Sequence, residues 1–99
     1  MEFTGGIRYG YNYLFSIRAG SPLTKLTIEP DSLTLSTFLM RSFRFEKDQI
    51  ERLSEYSVFL SSGIQIEHSV EDYPSLIVFS TFNINAVKAG LIENGYDVA

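Results

Sequence analysis

The sequence predicts a mainly β domain of six or seven antiparallel strands closed by one C-terminal helix. Three observations carry this expectation. Aromatic residues are abundant, with eight Phe and six Tyr among 99 residues, and aromatic and β-branched side chains suit a pleated, half-buried surface. Apolar residues alternate with polar ones at period two through most of the chain. The period then changes to that of a helix only after position 83.

The elements follow in order. From Ile7 to Ile17 the odd positions read Ile, Tyr, Tyr, Tyr, Phe, Ile, and most even positions are small or polar, so one apolar strand face is expected. Gly5, Gly6 and Gly10 weaken its start, which leaves Asn12 to Arg18 as the firm part. Ala19-Gly20-Ser21-Pro22 reads as a turn. Leu26 and Ile28, then Leu33, Leu35, Thr37 and Leu39, flank Glu29-Pro30-Asp31-Ser32. That is the clearest hairpin, because Pro presets φ and Asp can bond its own backbone. Phe43 and Phe45 form a further strand, after which the phase breaks at Glu46-Lys47-Asp48 and a bulge or brief helical turn is expected. Tyr56, Val58 and Leu60 resume the alternation, Ser61-Ser62-Gly63 reads as a turn, and Ile64, Ile66 and His68 share one face. Glu71-Asp72-Tyr73-Pro74 turns the chain into Leu76 to Phe79, apolar on both parities and therefore a strand covered on both sides. Finally Ile84, Val87 and Leu91, with Ile92 beside them, fall at helical spacing between Asn83 or Asn85 and the stop signal Asn94-Gly95, placing a helix over 83–94.

One domain spans residues 1–99, since a chain of this length builds a single modest core. Eight basic and twelve acidic side chains give a net charge of -4, which disfavours nucleic acid as a partner. The charge is polarised: residues 1–52 carry net +1 and residues 53–99 net -5. No Cys is present, which removes disulfides and thiolate chemistry and fits a reducing compartment. With no basic and apolar leader and no apolar run long enough to span a bilayer, a cytoplasmic location is expected.

The stretches Leu26-Thr27-Ile28-Glu29-Pro30-Asp31-Ser32-Leu33-Thr34-Leu35, Phe43-Arg44-Phe45-Glu46 running into Ile50, Gly63-Ile64-Gln65-Ile66, and Ile77-Val78-Phe79-Ser80 before a helix resemble, in order and spacing, bacterial pleckstrin-homology-like and GRAM-like domains. The resemblance covers residues 21–96 and leaves 1–20 as a Tyr-rich N-terminal strand or extension. It implies a half-open barrel of two near-orthogonal sheets with the helix at one end. It also implies peptide binding beside a strand edge, or self-association. The paired basic residues of phosphoinositide-binding relatives are missing. Arg18 and Lys25 remain as a possible anion patch, and Arg8, Arg41, Arg44 and Lys47 are more simply read as ion-paired surface cations.

No catalytic, cofactor or metal motif stands out. His68 lies near Glu67, Glu71 and Asp72, yet a strand-end His bonded to backbone accounts for it more simply than a ligand set. Tyr13 and Phe15 are expected to pack under the first strand, whereas Tyr9 and Tyr11 stay open between packing and an interface. The sequence thus points to a non-catalytic interaction module that binds a protein partner or a second copy of itself. Binding to an anionic membrane surface is the alternative, and a small enzyme or metal protein centred on His68 is the third.

Overall fold

The computed structural model describes residues 1–58 and 61–99. Seven strands, β1 (Glu2–Gly10), β2 (Ser16–Ile28), β3 (Ser32–Thr37), β4 (Phe43–Glu46), β5 (Ile50–Val58), β6 (Ser61–His68) and β7 (Leu76–Ser80), precede one helix, α1 (Ile84–Glu93). All pairings are antiparallel, in the order β4-β3-β2-β1-β7-β6-β5. The sheet is one continuous curled half-barrel, not two separate sheets. Its seam is the β1–β7 pairing, where Ile7 lies opposite Phe79, and its opening lies between β4 and β5. A single 3-10 turn, Lys47–Gln49, bridges that opening, as the phase break in the sequence predicts.

The inner face collects the alternating apolar residues into one core. Ile7, Leu26, Ile28, Leu33, Leu35, Phe43, Phe45, Ile64, Ile66, Ile77 and Phe79 are all buried, and α1 adds Val87 and Leu91. Burial of each such side chain contributes about 1.5–3 kcal/mol. Leu76 and Val78 are buried as well, so β7 is covered on both faces as expected. The β2–β3 hairpin turns at Pro30-Asp31, closed by reciprocal backbone bonds between Glu29 and Ser32. Deeper in the hairpin the hydroxyls of Thr24 and Thr37 satisfy each other at 2.9 Å.

The helix lies where its period and stop signal place it, between Asn83 and Asn94. Gly95, at φ 89°, lets the chain reverse. Its N–H donates to the Ile92 carbonyl, and the Tyr96 N–H donates to that of Leu91, the paired bonds that close a helix C-terminus. Ile92 is exposed, so only Ile84, Val87 and Leu91 form the inward stripe. Tyr96 is buried beside Leu91, and its hydroxyl donates to the Glu29 carbonyl at 2.8 Å, tying the helix end to the β2–β3 turn. Burial, with the carboxylates of Asp31, Glu29 and Glu46 nearby, raises the Tyr96 phenol above its ordinary 10.0. The unfolded chain therefore releases this proton first as pH rises, and the stability that rests on the neutral phenol is lost above about pH 10. Tyr96→Phe is expected to lose about 1 kcal/mol at neutral pH and to show a shallower decline above pH 10 than the wild type, read by urea denaturation at both pH values.

Four local expectations are corrected. Residues 11–15 form a tight reversal instead of the firm part of a strand, and β1 and β2 run on either side of it. Ala19 to Pro22 lies inside β2, with a cis Ser21–Pro22 bond: Ala19 pairs with Ile7, Gly20 to Leu23 bulge out of the β1–β2 register, and pairing resumes at Thr24. β3 ends at Thr37, and Leu39 is exposed with φ 57° in the following loop. Ser61 to Gly63 belong to β6, paired with Val58, Ser57 and Tyr56 of β5. Leu60 lies outside the described residues.

Candidate functional site

The reversal at residues 11–15 builds one wall of the principal groove. Tyr11 N–H donates to the Phe15 carbonyl at 3.0 Å, and the Asn12 side-chain oxygen accepts from the N–H groups of both Leu14 and Phe15 at 3.0 Å. An Asn at the start of a turn can supply this local scaffold. Arg8 braces it from β1, with its guanidinium 2.8 Å from the Ser16 hydroxyl and 4.2 Å from the centre of the Tyr13 ring. The scaffold turns the apolar residues outward: Tyr11 and Leu14 are each 84% exposed and Phe15 is 71% exposed. Phe15 is therefore not packed under the strand, and Tyr13 is only half covered, by Arg8. The alternation that suggested a buried face ends at Tyr9, because the chain leaves the sheet at Gly10.

Tyr9 forms the floor. It is half-buried and meets the Phe43 ring edge-on at 5.0 Å; Phe43 in turn meets Tyr73 at 5.0 Å, and Phe45 meets Tyr73 at 5.4 Å. Such edge-to-face pairs each add about 0.5–1.5 kcal/mol beyond area burial. The opposite wall is the turn at residues 71–75. It is fixed by the Arg44 N–H donating to the Tyr73 hydroxyl at 3.2 Å, and by Arg41, whose guanidinium donates to the Asp72 carbonyl at 2.6 Å while resting over the Phe43 and Tyr73 rings. Ser75 reaches across to donate to the Tyr11 carbonyl at 3.2 Å. The groove between these walls is shallow and open, has a volume of about 790 Å³ and is lined mainly by apolar surface, with Ile17 and Pro74 on its flanks. Glu71 and Asp72 line it on the acidic side.

The structure thus brings Tyr9 and Tyr11 to one groove. Arg18 and Lys25 are not brought together: they lie seven positions apart along extended β2, on the order of 20 Å, and Lys25 pairs with Glu2 at 3.6 Å. Arg18 borders a second, smaller depression of about 460 Å³ rimmed by the hydroxyl residues Ser21, Ser57, Ser62, Ser80 and Thr81. Arg44 is ion-paired with Glu46 along its own strand at 3.1 Å.

His68 is half-buried at the end of β6 with both ring nitrogens engaged. Nδ1 accepts from the Val70 N–H at 3.0 Å, and Nε2 faces the Pro74 carbonyl at 2.8 Å. Those partners define the Nε2–H tautomer, and the ring pins the turn that carries Tyr73. Among the described residues no group of three or more His, Asp or Glu is placed to hold a metal ion.

Sequence reasoning missed Phe15 and Tyr73 as groove residues, and Leu14 as part of the exposed tip beside them. A signal was present in Leu14, the one large apolar residue at an even position, which breaks the strand pattern two residues after an Asn. Among the described residues no helix is long and apolar enough to cross a membrane. No known family model matches the chain, and no curated protein or solved structure is significantly similar to it.

Proposed function

We propose that this domain is a non-catalytic interaction module that binds another polypeptide chain through the groove floored by Tyr9 and Tyr73 and the tip formed by Tyr11, Leu14 and Phe15. The observation that carries the reading is the tip itself: backbone hydrogen bonds accepted by the Asn12 side chain, and bracing by Arg8, hold large apolar side chains in water. A preorganised apolar surface of this kind loses little conformational freedom when covered, and each side chain contributes about 1.5–3 kcal/mol on burial. The acidic flank of Glu71 and Asp72, in a domain of net charge -4, favours protein over an anionic membrane, whose surface repels carboxylates.

The test is photo-crosslinking in the cells that make the protein, with p-benzoylphenylalanine in place of Leu14 and, as control, in place of the exposed Asp48. A discrete adduct with a polypeptide, formed at position 14 and not at 48, is the expected result. Adducts with lipid alone, or equal yields at both positions, would overturn the reading.

A further inference from the structure

Cations and carboxylates both stand at the groove, and the chain itself occupies only the cations. The Arg8 guanidinium donates to the Ser16 hydroxyl at 2.8 Å and the Tyr13 carbonyl at 3.3 Å while it rests on the Tyr13 ring. The Arg41 guanidinium donates to the Asp72 carbonyl at 2.6 Å and lies over the Phe43 and Tyr73 rings. Glu71 and Asp72 are different. Both are exposed, and neither enters an ion pair among the described residues. Arg41 takes the backbone oxygen of Asp72, which leaves the carboxylate facing water. The aromatic rings divide in the same way. Tyr13 carries Arg8 and Tyr73 carries Arg41, whereas Tyr11 and Phe15, on the wall opposite Glu71 and Asp72, carry no cation among the described residues.

We infer that the groove takes an extended basic segment of a partner protein. An Arg or Lys of that segment lies between the Tyr11 ring on one wall and the Glu71 and Asp72 carboxylates on the other, and its apolar neighbours cover Phe15, Ile17 and Pro74. The inference rests on the protein-binding reading above and names the chemistry of the partner. A cationic side chain suits both walls at once. Its head makes charge-assisted hydrogen bonds to carboxylate, an aromatic face attracts it, and its aliphatic stem covers apolar surface. An acidic segment would find no such welcome, because Arg8 and Arg41 must first give up the partners they already hold.

Shape and long-range charge agree with this occupant. The groove is open along its length, which suits a segment lying in it and not a small molecule, whose site must bury most of its surface. The Ser75 hydroxyl ties the two walls together by donating to the Tyr11 carbonyl at 3.2 Å, so the groove is preformed and the ordering cost falls on the segment alone. Glu71 and Asp72 belong to the half of the chain that carries net -5, and that field draws basic segments toward this face and turns acidic ones away.

The test pans a phage-displayed library of random dodecapeptides on the immobilised domain at low salt. The selected sequences are expected to carry Arg or Lys between apolar residues and to be depleted in Asp and Glu. One selected peptide is then synthesised and its binding read by fluorescence anisotropy. Glu71→Gln together with Asp72→Asn should weaken it about fivefold or more, and Tyr11→Ala about threefold or more. All three side chains are exposed, so the fold is expected to survive. Glu51→Gln together with Glu93→Gln changes the net charge equally at exposed sites outside the groove and should leave affinity within about twofold. Raising salt from about 50 mM to about 500 mM should weaken the wild type and hardly affect the Glu71→Gln, Asp72→Asn chain. Selection of neutral or acidic peptides, selection of none, or equal losses in the two double variants overturns the inference. Any of these beside a polypeptide adduct at Leu14 leaves the interaction reading standing and refutes a basic segment as the occupant, whereas lipid adducts alone remove both.

Discussion

Truncating Phe43 to alanine is expected to remove about 3–5 kcal/mol of folding stability, the largest loss from any single side chain of the groove floor. The ring is fully buried and sits between Tyr9 and Tyr73, both edge-on at 5.0 Å, with the Arg41 guanidinium 5.1 Å from its centre. Alanine would forfeit the apolar transfer energy, leave a cavity, and break two aromatic contacts at once. Domains of this size have net stabilities of roughly 5–15 kcal/mol, and each kcal/mol moves the melting temperature by about 4–8 °C, so a fall of at least 12 °C is expected. Phe43→Leu keeps most of the volume and should cost no more than about 1.5 kcal/mol. The chain has no Trp, so near-ultraviolet circular dichroism reports its tyrosines. That signal should fall in Phe43→Ala even where the fold persists, as Tyr9 and Tyr73 lose their common partner. A melting temperature within 3 °C of wild type would show that Phe43 does not hold the floor together.

The second large effect is expected at Gly5. A Cβ built there falls inside contact distance of the Ser80 carbonyl oxygen and 2.8 Å from the Phe79 ring. Ser80 belongs to β7, and its carbonyl cannot swing aside as a flexible side chain does. Gly5 also lies at the register shift in the β1–β2 pairing, one residue before β1 begins to pair with β7. A methyl group must therefore push the two strands apart at the corner of the barrel. Gly5→Ala is expected to lose about 3 kcal/mol or more, with hydrogen exchange accelerated first in the Gly6–Gly10 and Leu76–Ser80 amides. Stability equal to wild type would mean that the corner has slack and that the glycine is not required by packing.

What was legible in the sequence follows from how local each cause is. The β2–β3 hairpin, the 3-10 turn after Phe45 and the helix with its Gly95 stop are set by residues within a few positions of one another, and each lies where its pattern placed it. The reversal at 11–15 was misread because the alternation of tyrosines continues through it while the backbone leaves the sheet at Gly10. Ala19 to Pro22 was misread for the opposite reason: its irregular residues make a bulge and not a reversal, because the chain resumes pairing with β1 at Thr24, a partner composition does not reveal. The groove was legible only in half. Tyr9 and Tyr11 stood out as a row, but Tyr73 joins them from a turn more than sixty positions away, and only the closing of β1 on β7 brings the two together.

That seam also governs how the chain reaches its final shape. β1 can pair with β2 as soon as both have been made, yet the neighbour for its other edge, β7, is made only after the whole intervening meander. Contacts so distant in sequence form late and slowly. Until β7 arrives, the Gly6–Gly10 edge and the inner side chains Ile7 and Tyr9 are uncovered in the nascent chain. Such unpaired edges are where misassembly begins, so the interval between synthesis of β1 and of β7 is when this domain is most open to aggregation and to helper proteins.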